Sequence, residues 1–66
     1  MAISLLEARN QAGLKQKFVA EKLKVSPRTV QNWEKGQTIP KYAFVVLYAQ
    51  LCGVEPQEIF LPKGLH

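Results

Sequence analysis

No aspartate occurs in this 66-residue sequence, its only histidine is the last residue, and it holds a single cysteine. These absences remove whole classes of chemistry. No nucleophile has a plausible base partner, so the residues argue against an enzyme. Cys52 alone makes no intramolecular disulfide, and without a Cys/His cluster there is no structural zinc site. The sequence therefore calls for no metal and no cofactor, and Cys52, on the apolar side of a helix, reads as a small buried hydrophobe. The longest apolar run, residues 43–49, falls far short of the roughly 20 residues that cross a bilayer. No basic-then-apolar leader opens the chain, so the expected compartment is the cytoplasm. There is no internal repeat and no low-complexity segment.

What is present is a 47% hydrophobic chain carrying nine Lys/Arg against five acidic residues, for a net charge of +4 and a pI near 9.5. Its length makes one domain over residues 1–66, with no room for a separate catalytic or ligand-binding module. So short a chain buries only roughly 60% of its unfolded surface. With no disulfide or zinc, the remaining staples are dimerisation or very regular helix packing. The charge suits an anionic partner, and nucleic acid is the commonest one for a small basic helical domain. Plain solubility explains a charge of this size equally well, so charge decides little.

The chain is organised around residues 16–36, QKFVAEKLKVSPRTVQNWEKG. Ser26 is a strong N-cap residue, and Pro27 stands at the first helical position, where its missing N–H is harmless. Val19, Ala20 and Leu23 share one side of the helix before this start, and Val30 and Trp33 share one side of the helix after it. Only Lys24-Val25-Ser26 separates the two, so the helices cross steeply. The spacing predicts helices over residues 16–23 and 27–35.

These residues resemble the helix-turn-helix of the Cro/cI-type (xenobiotic-response-element, lambda-repressor-like) family. The resemblance rests on Val19, Ala20, Leu23, Val25, Val30 and Trp33. It widens to Gly13-Leu14, Gln16, Trp33-Glu34-Lys35-Gly36, Pro40 and Gly53-Val54, covering about residues 3–61. It implies an all-α, compact five-helix fold whose second and third helices form the helix-turn-helix, about residues 16–35. Two residues depart from the pattern: Lys24 stands where the turn usually has glycine, and Lys15 where a Ser or Thr usually caps the first helix of the pair. If the turn backbone needs φ > 0, Lys24 costs roughly 1 kcal/mol against glycine.

The rest of the chain reads around this centre. Residues 1–12 form a first helix with Leu5, Ala8 and Ala12 inward and Ile3 and Leu6 partly beside them, ended by Gly13. Trp33 is in register with Val30 and so belongs to the core, the alternative being a ring stacked on a base. Gly36 ends the third helix, and a loop follows in which Ile39 tucks inward. A fourth helix over residues 41–52 buries Tyr42, Val45, Val46, Tyr48, Ala49 and Cys52. Its second arc, Phe44, Leu47 and Leu51, is apolar where a monomer shows polar groups, and it is read as a homodimer interface. The alternative is that the last helix and the tail cover it. Glu55-Pro56 begins a short fifth helix carrying Ile59 and Phe60, and residues 62–66 are a loose tail.

The resemblance also implies a site. The polar side of the third helix enters the major groove of double-stranded DNA, with Arg28 reading guanine and Gln31 and Asn32 reading adenine. Pro27 adds an apolar contact, suited to a thymine methyl. Gln16, at a helix N-terminus that favours anions, takes a phosphate together with Lys15 and Lys17. Thr29, Lys35, Gln37, Thr38 and Lys41 are further phosphate contacts. Arg9 is expected to bridge Glu34 and fix the angle between helices, the alternative being two solvated side chains. The implied function is a small prophage- or plasmid-type repressor acting as a homodimer on an inverted repeat in the bacterial cytoplasm or nucleoid. The rival from another class is a protein-interaction module, such as the DNA-binding antitoxin of a toxin–antitoxin pair.

Overall fold

Ser4 caps the first helix, which begins four residues later than the periodicity predicts. In the computed structural model, which describes residues 2–61, its hydroxyl accepts from the Glu7 N–H at 3.1 Å and the Glu7 carboxylate accepts from the Ser4 N–H at 2.9 Å. This reciprocal box satisfies two otherwise unpaired amides and fixes where the chain turns helical. Helix α1 accordingly spans Leu5–Gln11, and Ala12, expected inward, caps its end and is exposed.

Three more helices follow: α2 Gln16–Leu23, α3 Pro27–Lys35 and α4 Tyr42–Cys52. Their facing stripes meet in one core of Leu5, Ala8, Val19, Ala20, Leu23, Val30, Trp33, Val45, Tyr48 and Ala49. The tryptophan ring lies 5.3 Å from that of Phe44, tilted by 39°, which settles Trp33 as a core residue. The fold is all-α among the described residues, apart from one isolated bridge.

The fifth helix is corrected. Pro56–Glu58 makes a single 3-10 turn, and Ile59 and Phe60 leave it in extended form. Ile3 N–H donates to the Glu58 carbonyl at 2.8 Å and Phe60 N–H to the Ile3 carbonyl at 2.6 Å, a parallel bridge between Ile3 and Ile59. Both isoleucines are β-branched and prefer this pairing to a frayed helix end. Ile3 is thus not a helical residue, and the two ends of the domain close on each other. Residue 1 and the tail expected over residues 62–66 lie outside the described residues.

Each of the four helices is closed off by a left-handed residue, Lys24, Gly36 and Gly53 at the caps of α2, α3 and α4 and Gly13 just after the Ala12 cap of α1. After each, the next amide reaches back five residues: Leu14 to Arg9, Val25 to Ala20, Gln37 to Asn32 and Val54 to Ala49, at 2.9–3.1 Å. This closure satisfies the terminal carbonyls and, at Leu14 and Val25, returns an apolar side chain toward the core. Lys24 is the one non-glycine with positive φ among the described residues, at φ 61 and ψ 41.

Two inward expectations fail at the ends of α4. Tyr42, the first residue of the helix, is 70% exposed. Ile39 is 42% exposed, while Pro40 beside it is buried. The proline ring, not the isoleucine, takes the inner side of the loop.

Candidate nucleic-acid interface

The polar side of α3 is built from its first turn. The Ser26 hydroxyl accepts from the Thr29 N–H at 3.1 Å, and the two hydroxyl oxygens lie 2.9 Å apart. Pro27 occupies the first helical position, and Gly36 closes the other end at φ 80. Val30 and Trp33 are buried, which turns Pro27, Arg28, Gln31 and Asn32 the other way. Pro27 and Arg28 are exposed, and Gln31 and Asn32 half-exposed. None of the hydrogen bonds among described side chains uses Arg28, Gln31 or Asn32. Their donors and acceptors are therefore available as a row along one helix.

Several of the expected phosphate contacts are exposed cations. Lys15 and Lys17 are exposed at the start of α2, Lys35 in the last turn of α3, and Lys41 just before α4. Gln37 and Thr38 are exposed in the loop between α3 and α4. Lys35 sits at the negative end of its helix dipole, which favours it, whereas Lys15 and Lys17 sit at a positive end, which does not. Thr29 is half-buried, with its hydroxyl already beside Ser26. Phe18, exposed on α2, lies beneath the Lys22 ammonium, 5.5 Å from the ring centre.

Behind the row lies one buried carboxylate. Arg9 Nε donates to Glu34 Oε2 at 2.7 Å and a second guanidinium nitrogen to Oε1 at 3.0 Å, the forked pair that the resemblance implies. Arg9 also donates to the Leu14 carbonyl at 3.0 Å. Two further donors to Glu34 were not legible in the sequence. Gln16 Nε2 donates to Oε1 at 2.9 Å, and the Tyr48 hydroxyl donates to Oε2 while lying 3.1 Å from the Leu5 carbonyl. The signal for Tyr48 was its place in an apolar arc, since a buried phenol needs a partner. The signal for Gln16 was absent, because its partner is 18 residues away.

The Glu34 side chain is only 3% exposed, and burial alone would push its carboxyl up. The bonds from Arg9, Tyr48 and Gln16 together outweigh burial and hold it below the ordinary glutamate value. Burial first, then Glu34, push the Tyr48 hydroxyl far above the usual phenol range, so it stays a proton donor. The bond to Glu34 raises the Arg9 guanidinium further still, and burial raises the Cys52 thiol. No buried side-chain nitrogen or oxygen among the described residues lacks a partner.

A family model described as helix-turn-helix matches residues 5–59. The chain belongs to this family, of the Cro/cI type. No curated protein and no solved structure matches it. As a helix-turn-helix protein it is a DNA-binding, all-α domain of the kind that regulates transcription. Its family works by binding rather than by catalysis. No helix among the described residues is long and apolar enough to cross a membrane.

The expected interface residues divide as follows by exposure and partner. Pro27, Arg28, Gln31 and Asn32 share the outer face of α3, and Lys15, Lys17, Lys35, Gln37, Thr38 and Lys41 are exposed. One amide proton of Gln16, expected at a phosphate, is committed to Glu34, which leaves one proton and the carbonyl. The apolar arc of α4 divides: Phe44 and Leu51 are half-buried against the core, while Leu47 is 44% exposed.

Proposed function

We propose that this domain is a small transcriptional repressor that binds as a homodimer to an inverted-repeat operator. Its half-sites would lie about one helical turn apart. The observation that carries the reading is the row of uncommitted Arg28, Gln31 and Asn32 side chains on the outer face of α3. Arg28 donates two parallel bonds to guanine O6 and N7, and Gln31 and Asn32 make paired contacts to adenine. Lys15, Lys17, Lys35 and Lys41 neutralise phosphates, with Gln37, Thr38, Thr29 and the remaining proton of Gln16 donating to phosphate oxygens. The dimer forms through the outward face of α4, where Leu47 stands open beside Ala43 and the half-buried Leu51 and Phe44 supply the flanks. Repression follows from occupying the operator and excluding polymerase.

Selection from a pool of random duplexes at moderate salt tests this reading. An enriched palindrome supports it. Recovery of no motif, with only weak salt-sensitive binding, refutes it and leaves the protein-interaction reading. The open α4 face serves that second reading as well. Size in solution separates them, because a homodimer face gives a dimer with no added chain, and a docking face for another protein gives a monomer.

A further inference from the structure

Helix α1 has only seven residues, too few to hold a helix together alone in water. Its place is therefore set by what grips it. Toward its end, Arg9 forks onto Glu34 of α3 at 2.7 and 3.0 Å. At its start, the grip comes from the far end of the domain. The Ile3 N–H donates to the Glu58 carbonyl at 2.8 Å, and the Phe60 N–H donates to the Ile3 carbonyl at 2.6 Å. Ile59 and Leu61 pack against the core, while the Phe60 ring between them is 55% exposed. Two residues past Ile3, the Leu5 carbonyl lies 3.1 Å from the Tyr48 hydroxyl, which also meets Glu34. The joined ends of the domain thus reach α3 through α1, by way of Arg9 and Leu5.

We propose that the Ile3–Ile59 closure is a conformational latch on the outer face of α3. Closed, it holds α1 and, through Glu34, fixes α3; open, it lets α3 turn without unfolding the domain. The effect on DNA rests on the reading that this face discriminates among bases. The two grips on α1 differ in strength. The fork is charged and its Glu34 side chain only 3% exposed, whereas the closure is two neutral backbone bonds between half-buried isoleucine positions. Charge-assisted bonds are about twice as strong as neutral ones, and domain ends open at lower cost than cores. The closure is therefore the part that opens first. Whatever competes for the Ile3 backbone, or draws residues 59–61 aside, loosens the face without touching it. Linkage gives the converse: an operator that needs the face fixed tightens the closure.

Phe60→Pro removes the N–H that the Ile3 carbonyl accepts. Ile59, at φ −79 and ψ 126, already has the extended backbone that a following proline requires. Phe60→Ala removes the same exposed ring but keeps the N–H, so it is the control. Loss of one such bond shifts the closure toward open by about two- to tenfold. In Phe60→Pro the Ile3 amide proton and the Arg9 Nε proton should both exchange faster with solvent, and in Phe60→Ala neither should. Selectivity is the affinity for the selected operator over a duplex changed at the base that Arg28 reads. It should fall by about two- to tenfold in Phe60→Pro alone. In the unchanged protein, the selected operator should slow Ile3 exchange, and a random duplex should not. Faster Ile3 exchange with Arg9 exchange and selectivity unmoved overturns the latch and leaves the repressor reading standing. An equal loss in Phe60→Ala overturns it too, because the ring is then the cause. If Phe60→Pro does not fold, the unchanged protein decides: equal Ile3 exchange with operator and random duplex overturns the latch. If no operator is recovered, the repressor reading fails. The latch then stands or falls on whether the Arg9 proton follows the Ile3 proton in Phe60→Pro.

Discussion

Lys24→Gly isolates one backbone conformation. Lys24 holds φ 61 and ψ 41 at the end of α2, where a Cβ crowds the following carbonyl at about 1–2 kcal/mol. Glycine removes that strain but loses about 0.5–1 kcal/mol more conformational freedom on folding. The difference favours the variant by about 0.5–1 kcal/mol. For a domain this small, 1 kcal/mol moves Tm by about 4–8 °C, so a rise of about 2–8 °C is expected. Urea titration should show a higher midpoint with an unchanged slope, which assigns the gain to stability rather than to the denatured state. Lys24→Ala is the control, since it deletes the charge but keeps the Cβ, and it should stay within about 0.5 kcal/mol of the parent. If the alanine variant gained as much as the glycine one, charge and not backbone would be the cause. If glycine gave no gain at all, the left-handed conformation of Lys24 would carry no strain and the reasoning would be refuted.

Four further outcomes are expected. Glu34→Gln leaves Arg9 buried beside a neutral partner and should cost about 3–5 kcal/mol in urea titration. Because the folded Glu34 carboxyl is the stronger acid, its contribution is complete above the unfolded value of about 4.3 and is lost as pH falls through the folded value. The acid limb of stability against pH should therefore be shallower in Glu34→Gln than in the parent. Tyr48→Phe removes a donor from Glu34 and should cost about 1–3 kcal/mol by the same titration. Arg28→Ala should cost about 1–3 kcal/mol of binding and relax one base position, whereas Lys35→Ala should weaken all sequences alike and lower the salt slope. A uniform loss for Arg28→Ala would move that residue to the phosphate contacts. Leu47→Glu alters an exposed position, so it should leave the thermal melt in place and convert a dimer into a monomer in sedimentation.

The parts of this fold that were legible are those set by local rules. Ser26-Pro27 and Gly36 marked both ends of α3 to the residue, and the stripes of α2 and α3 placed their buried faces. The forked Arg9–Glu34 pair came from the resemblance, not from spacing, since 25 residues separate the two. What was missed depends on tertiary neighbours. Tyr42 lies on the buried side of α4 by angle, yet at the first position of the helix it is 70% exposed, while Val45 one turn on is buried. Phe44 and Leu51 lie away from the centre of the core by angle, yet partner side chains reach them. The Ile3–Ile59 bridge joins the two ends of the domain, and no periodicity reports such a closure. The Ser4 box is different, because Ser-x-x-Glu before an apolar run was present in the sequence and outweighed the helical period of residues 1–4.

The Glu34 carboxylate explains how so small a domain holds the polar face of α3 still. Glu34 is on α3, and its oxygens accept from Arg9 on α1, Gln16 on α2 and Tyr48 on α4. Four helices therefore meet at one group. A hydrophobic core resists separation of helices but only weakly resists rotation of one about its own axis, because apolar contacts are not directional. Hydrogen bonds are directional. Turning α3 by a fraction of a turn would break bonds to all three neighbours at once and strand a charge in the interior. Such a group adds little net stability against a well-packed apolar substitute, so its value lies in orientation. Replacing Arg9 and Glu34 together by methionines should therefore restore much of the stability that either single change loses. It should not restore the discrimination among operator bases, because the angle of Arg28, Gln31 and Asn32 would no longer be fixed. A double variant that recovered both would show that apolar packing alone sets the angle of α3.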